Sequence, residues 1–274
     1  MRAALLFTAF LGLIAPSAVG QTYRDLYRAG AMEAAADRQE EAYVLFARAA
    51  EGAYAARDLA VELRARRVLA QVDFNRGARL AWQGFPAEAI PYFEASLAND
   101  PEKPLPLLGL GDALLGAGRR DDAVLAFVRA RDAAFRVADD TLRRRADFSV
   151  REAFLAPVRP RFSGPALGTA ESAIDALTRL NALDAYAEPD ATSFLYRANA
   201  LLVLRRLPQA LAAADTGLAQ YRGSRAGAAG LNFARGEILL ALGRRDGAIQ
   251  PFERALYEGY RERALVRLRE ITGR

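Results

Sequence analysis

The sequence predicts an all-α protein of stacked helix-turn-helix hairpins, and three observations carry that prediction. Gly77, Gly84, Ala89, Phe93 and Ser96 recur 34 positions later as Gly111, Gly118, Ala123, Phe127 and Ala130. The same five positions return in order in the stretch Ala229 to Glu262, as Gly236, Gly243, Ala248, Phe252 and Ala255. Self-similarity at such an interval is the signature of a repeated supersecondary unit that buries its apolar face only by stacking on its neighbours. Within each unit a glycine-marked turn separates two apolar-periodic segments, the third observation.

Each element follows from this register. In the unit Ala70 to Lys103 the first helix is expected to run to about Trp82, with a turn at Gly84-Phe85-Pro86 and a second helix over about Ala87 to Ala98. Asn99-Asp100-Pro101 stops that helix, because proline cannot continue it. Glycine inside a helix costs about 1 kcal/mol relative to alanine, so Gly77 and Gly111 imply a close helix crossing, with Phe93 and Phe127 filling the space beside it. Weaker copies span Tyr23 to Ala56, with Gly30, Ala42, Phe46 and Ala49, and Ala191 to Ser224, where Arg205 replaces the turn glycine and Ala214 the aromatic.

These residues resemble the tetratricopeptide repeat. The resemblance implies a right-handed α-solenoid with a concave binding surface, lined by one face of each first helix. On that template the chain divides into a leader at 1–20, a degenerate hairpin and connecting helix at 21–69, and two regular repeats at 70–137. An irregular or inserted helical region follows at 138–190, then two further repeats at 191–262 and a capping helix at 263–274. In the irregular region Asp139 and Asp140 are expected to start a helix with an apolar stripe of Leu142, Ala146, Val150 and Phe154. Pro157, Pro160 and Pro165 force a crossover, and a helix over about Glu171 to Tyr186 carries Ile174, Leu177, Leu180 and Leu183.

The amino terminus has Arg2, an apolar stretch from Ala3 to Ala15, Pro16, and small residues at Ala18 and Gly20. This reads as a secretory signal cleaved before Gln21, giving a periplasmic or secreted protein that meets the membrane only in transit. An anchor or a buried first helix are the alternatives, but the stretch falls short of the ~20 apolar residues a spanning helix needs.

Composition limits the chemistry. The chain has no cysteine and no histidine, so disulfides, thiolate metal sites, cysteine nucleophiles and histidine-based triads are excluded. Taking Arg2 from 38 Lys+Arg leaves 37 against 33 Asp+Glu, a charge of only +4, and nucleic-acid binding would need those cations clustered on one face. No nucleic-acid partner, cofactor, metal or catalytic residue is expected. The pairs Asp121-Asp122 and Asp139-Asp140 read as helix-start charges, and Gly109-Leu110-Gly111 lies inside a helix without the strand-loop-helix context of a phosphate loop.

The resemblance places the groove at Phe74, Asn75 and Trp82 in one unit and at Leu108 and Asp112 in the next. Later units contribute Leu195, Tyr196, Asn199, Phe233 and Glu237. Aromatics, amides and carboxylates together suit an extended peptide or another protein. Phe74 and Ala78 stand where the carboxylate-clamp subclass has lysine and asparagine, which argues against cytosolic chaperone tails. The expected function is a non-catalytic interaction scaffold or assembly factor of the bacterial cell envelope. The alternative is an envelope enzyme or anionic-polymer-binding accessory protein using the arginines of 138–190: Arg143, Arg144, Arg145, Arg151, Arg159 and Arg161.

Overall fold

The computed structural model describes residues 22–162 and 168–273; the leader expected at 1–20 lies outside them. Among the described residues there are helices and no strands, and the chain forms two compact units, 1–117 and 118–274.

The first unit contains α1 (Tyr23–Ala35), α2 (Gln39–Ala55), α3 (Leu59–Trp82), α4 (Pro86–Asn99) and α5 (Pro104–Gly116). Each helix packs on the next, and α3 also touches α1 and α5. The crossing read from the glycines is present. A Cβ added to Gly77 would lie 3.1 Å from the Phe93 ring and one added to Gly109 of α5 2.6 Å from it, so the fully buried Phe93 sits between two successive first helices. Phe74 adds a tilted ring contact, with centroids 5.9 Å apart. In the degenerate first hairpin Gly30 meets Phe46 at 3.2 Å in the same way.

The residues between the first two units of the sequence repeat have a simple explanation. They form the amino-terminal half of α3, one continuous helix of 24 residues. Ala65 and Leu69 on that half close the core made by Leu26, Ala42, Phe46, Ala49 and Ala50 of α1 and α2, while the other half pairs with α4. At the α2–α3 contact the Tyr43 hydroxyl donates to the buried Asp73 carboxylate at 3.1 Å. The Arg76 guanidinium lies 5.0 Å from the Tyr43 ring centroid and pairs with Glu40.

The second unit contains α6 (Arg120–Arg136), α7 (Asp140–Leu155), the single turn α8 (Arg159–Phe162), α9 (Ala170–Leu183), α10 (Ala191–Val203), α11 (Leu207–Gln220), α12 (Ala229–Ala241), α13 (Arg245–Arg254) and α14 (Arg261–Thr272). Region 138–190 contains α7 packed against α9, with the single turn α8 between them in sequence. Asp139 caps α7 by accepting from the amides of Thr141 and Leu142, and Ala146, Val150 and Phe154 are buried as the stripe required. The second helix differs from expectation. It ends at Leu183, and its buried face is Ala173, Ala176, Leu180 and Leu183, leaving Ile174 58% exposed because it lies one position, about 100°, off that stripe. Arg131 donates to the Tyr186 carbonyl at 2.9 Å, and Tyr186 stacks on Phe154, so the connector after α9 is held against α6 and α7.

One turn geometry joins most of these helices. The second residue after the helix takes a left-handed conformation at Gly84, Gly118 and Gly243, and equally at Asp37, Arg57, Ala138 and Arg205. At Gly84 the amide donates to the Ala81 carbonyl at 3.1 Å and the Phe85 amide to Leu80 at 3.0 Å; Arg57 and Asp58 reproduce both bonds to Tyr54 and Ala53. These satisfy carbonyls the helix end leaves open. Arg57 and Ala138 close a second helix instead of a first, which lengthens α2 and α6 and displaces the 34-residue register.

Two outcomes follow. A non-glycine residue in this conformation costs about 1–2 kcal/mol, partly offset in glycine by the entropy of its unfolded chain. Ala138→Gly, which removes only an exposed methyl, is therefore expected to stabilise the protein by about 0.5–1 kcal/mol in denaturant unfolding. Burial holds the Asp73 carboxyl above its ordinary value, against the pull of the Tyr43 bond and the Arg76 charge. The folded state thus binds this proton more tightly than the unfolded one, so its contribution is full below the unfolded pKa of about 3.9 and is lost as pH rises through the folded value. Asp73→Asn should melt above the native protein at pH 7 and match it near pH 3.5; equal differences at both pH values would contradict the assignment.

Candidate functional site

The expected groove positions separate into an open set and a closed set. In the first unit Trp82, at the end of α3, is 89% exposed, and Phe85, three residues on at the start of α4, is 50% exposed. Asn75 is exposed and accepts from the Gln71 amide at 2.9 Å, one turn back on the same helix. Asp112 is exposed on α5, whereas Phe74 is half-buried against Phe93 and Leu108 is fully buried.

In the second unit the expected residues lie in internal contacts. Asn199 is buried and its amide donates to the Phe162 carbonyl at 2.9 Å, closing the end of α8, whose Phe162 ring is itself buried. Tyr196 is buried beside the Arg159 guanidinium, and burial raises its hydroxyl pKa. Phe233 is buried between Phe252, edge-on at 5.5 Å, and Tyr260 at 5.6 Å, with the Arg263 guanidinium 4.2 Å from its ring centroid. Glu237 accepts a two-pronged bond from Arg267, at 2.6 Å to Nε and 3.0 Å to Nη2. The chain's own inserted segment and its last helix cover these side chains. The resemblance sets these residues on first helices, and the sequence gives no sign of α8, whose four residues lack a periodic pattern.

What stays open in the second unit is a cleft of about 470 Å³ lined by Leu202 and Val203 of α10, Arg205 of the following turn, Glu237, Leu240 and Ala241 of α12, and Arg267 of α14. Charge in the 138–190 region is largely paired internally. Arg143 pairs with Asp140, Arg151 with Asp190, Arg159 with Glu152 and Arg161 with Asp175, while Arg144 is exposed. The acidic pairs serve helix starts: Asp139 is the cap described above, and Asp121 and Asp122 fall in the first turn of α6, with Asp122 bonded to Arg119 at 2.8 Å.

Residues 83–137, which cover α4, α5 and α6, match the family model described as Tetratricopeptide repeat. Over these residues the chain is similar to the tetratricopeptide repeat. No curated protein sequence matches it. Among solved structures it is similar to a thermophilic TPR protein of Thermus thermophilus, at 21% identity over 74% of this chain and 98% of that one, with a TM-score of 0.33. It is also similar to MamA from Desulfovibrio magneticus, at 18% identity over 71% and 96%, TM-score 0.38. A third is a tetratricopeptide repeat protein from Parabacteroides merdae, at 15% identity over 93% and 100%, TM-score 0.36. Tetratricopeptide repeats mediate protein–protein interaction and scaffolding.

The internal role of Asn199 is directly measurable. Asn199→Ala orphans a buried carbonyl and is expected to cost about 1–3 kcal/mol. It should also speed proteolysis within 156–162; unchanged stability would return Asn199 to the ligand-facing set.

Proposed function

We propose that this tetratricopeptide-repeat protein is an exported, non-catalytic scaffold or assembly factor of a bacterial cell envelope, binding a segment of another protein on its open first-helix faces. The observation that carries the reading is Trp82. A tryptophan left 89% exposed beside a half-exposed Phe85 forgoes the burial a large ring ordinarily finds. Tryptophan is also enriched among the few residues that dominate interface energetics. Asn75, on the same helix, offers orienting hydrogen bonds.

Export is supported by the composition of residues 1–20 and by a chain free of cysteine, which suits an oxidising compartment. Among the described residues no helix is long and apolar enough to cross a membrane. The ion pairing of Arg143, Arg151, Arg159 and Arg161 leaves less free charge for an anionic polymer, which favours the scaffold reading over the accessory-protein one.

Photo-cross-linking from positions 75 and 82 in cells, with position 144 as comparison, tests the proposal. Trp82→Ala should weaken capture of the cross-linked partner by at least tenfold, since hot-spot truncation costs about 2 kcal/mol or more. Cross-links confined to position 144 would move the site to the 138–190 region. Amino-terminal sequencing of the envelope fraction should begin at Gln21; an intact Met1 would favour an anchor.

A further inference from the structure

A second cleft in the second unit is walled by polar groups that the fold itself does not use. It has a volume of about 550 Å³ and is lined by Arg225, Ala228, Asn232, Glu253, Arg254 and Tyr257. The volume falls within the ~300–1,000 Å³ of ligand-sized sites. None of these residues belongs to the cleft of Glu237 and Arg267 or to the expected groove positions. Asn232 is the telling one. It is only 6% exposed, and its amide nitrogen donates to the Ala228 carbonyl at 3.0 Å, one turn back on α12. That bond fixes the orientation of the side chain. The Asn232 Oδ1 has no hydrogen-bond partner among the described residues, yet it is not sealed from solvent, and the cleft is the opening that reaches it. Buried polar atoms ordinarily find partners within the protein or in a bound molecule.

The charged groups of the same wall are unspent as well. Arg225, Glu253 and Arg254 are exposed and form no ion pair, with one another or with any other described residue. Arg225 sits on a segment held in place by its own packing: a Cβ at Gly223 or at Gly227 would collide with the Tyr221 hydroxyl, and the Gly227 amide donates to Ser224 Oγ at 3.2 Å. Ala228 precedes α12 without a side-chain cap, so the positive end of that helix adds to the two guanidiniums. Each guanidinium presents a planar fork of donors. A carboxylate's two oxygens take one fork, whereas a phosphate has three oxygens and accepts from both. A bare anion would leave Glu253 and the Asn232 Oδ1 facing negative charge with no donor, and a neutral sugar would leave both guanidiniums unanswered. A phosphate joined to a polyhydroxyl ring satisfies every group: its hydroxyls donate to Glu253 and to the Asn232 Oδ1, beside the half-buried Tyr257.

We infer that this cleft binds a monosaccharide phosphate, with Arg225 and Arg254 on the phosphate and Asn232 and Glu253 on the sugar hydroxyls. The inference goes beyond the scaffold reading. Its ligand is a small molecule, and the second unit builds its cleft, whereas positions 75 and 82 belong to the first.

Isothermal calorimetry on the full chain tests it with the 1-phosphates of glucose, galactose and mannose, the three free sugars, inorganic phosphate and phosphoethanolamine. At least one sugar phosphate is expected to bind at least about tenfold more tightly than its free sugar, inorganic phosphate or phosphoethanolamine. Arg225→Gln and Arg254→Gln remove exposed, unpaired groups, so each should leave the melting temperature unchanged while weakening that sugar phosphate by at least about tenfold. Asn232→Ala should erase the preference over inorganic phosphate and leave the affinity for inorganic phosphate itself unchanged, a split that a loosened fold would not produce. Arg222→Gln is the charge control. Its guanidinium bonds the Ala219 carbonyl at 2.6 Å and does not line the cleft, so binding should stay within about twofold of the native protein. Four results overturn the inference: no sugar phosphate binding at millimolar concentration, inorganic phosphate binding as tightly as the best sugar phosphate, phosphoethanolamine binding more tightly, or Arg222→Gln matching the loss at Arg225. Cross-linking at positions 75 and 82 is scored separately, so a partner captured there leaves the scaffold standing whichever way the calorimetry falls.

Discussion

Everything else in the hairpins depends on how closely their helices approach. Phe93 lies between Gly77 and Gly109, where an added Cβ would come within 3.1 and 2.6 Å of its ring, and Phe252 stands in the same relation to Gly236, at 2.6 Å. At distances this short the phenylalanine ring would have to shift to admit a methyl group, and overpacking a core costs about 1–3 kcal/mol. Glycine's unfavourable helix propensity, about 1 kcal/mol, is thus accepted for the sake of the crossing. The crossing fixes which face of each first helix is buried and which remains exposed.

This constraint also decides what is legible in the sequence. Where the crossing uses glycine and phenylalanine, the unit stands out at fixed spacing, and the helices of 70–103 and 229–262 lie where the register puts them. Where a turn places Arg57 or Ala138 in a left-handed conformation, no glycine marks it, and backbone geometry alone gives the motif away. The long α3 therefore reads in the sequence as a break followed by a helix. Gly109, weak as a glycine motif, is the second wall of the Phe93 site; its signal is position within a helix, not any motif.

The candidate site is legible as a face and not as a surface. Trp82 and Asn75 are open, but Tyr196, Asn199, Phe233 and Glu237 meet α8 and α14, elements whose packing depends on contacts 30 or more residues away in sequence. Periodicity reports which side of a helix a residue occupies; it carries no information about what folds back onto that side. Arginine behaves similarly. The run at 143–145 stands out by its density, yet pairing within the hairpin consumes much of the charge around it, whereas the less conspicuous Arg205 has no carboxylate partner among the described residues.

The length of α3 has a further consequence for how the first unit comes apart. Ordinary repeat arrays lose hairpins one at a time, because each unit touches only its neighbours through a separable interface. Here a single rod of about 36 Å is at once the lid of one hairpin and the first helix of the next. Fraying it from either end exposes the cores of both. The region from Tyr23 to Asn99 should accordingly behave as one cooperative block, protecting its amides with a common opening free energy and not with the graded stability of beads on a string.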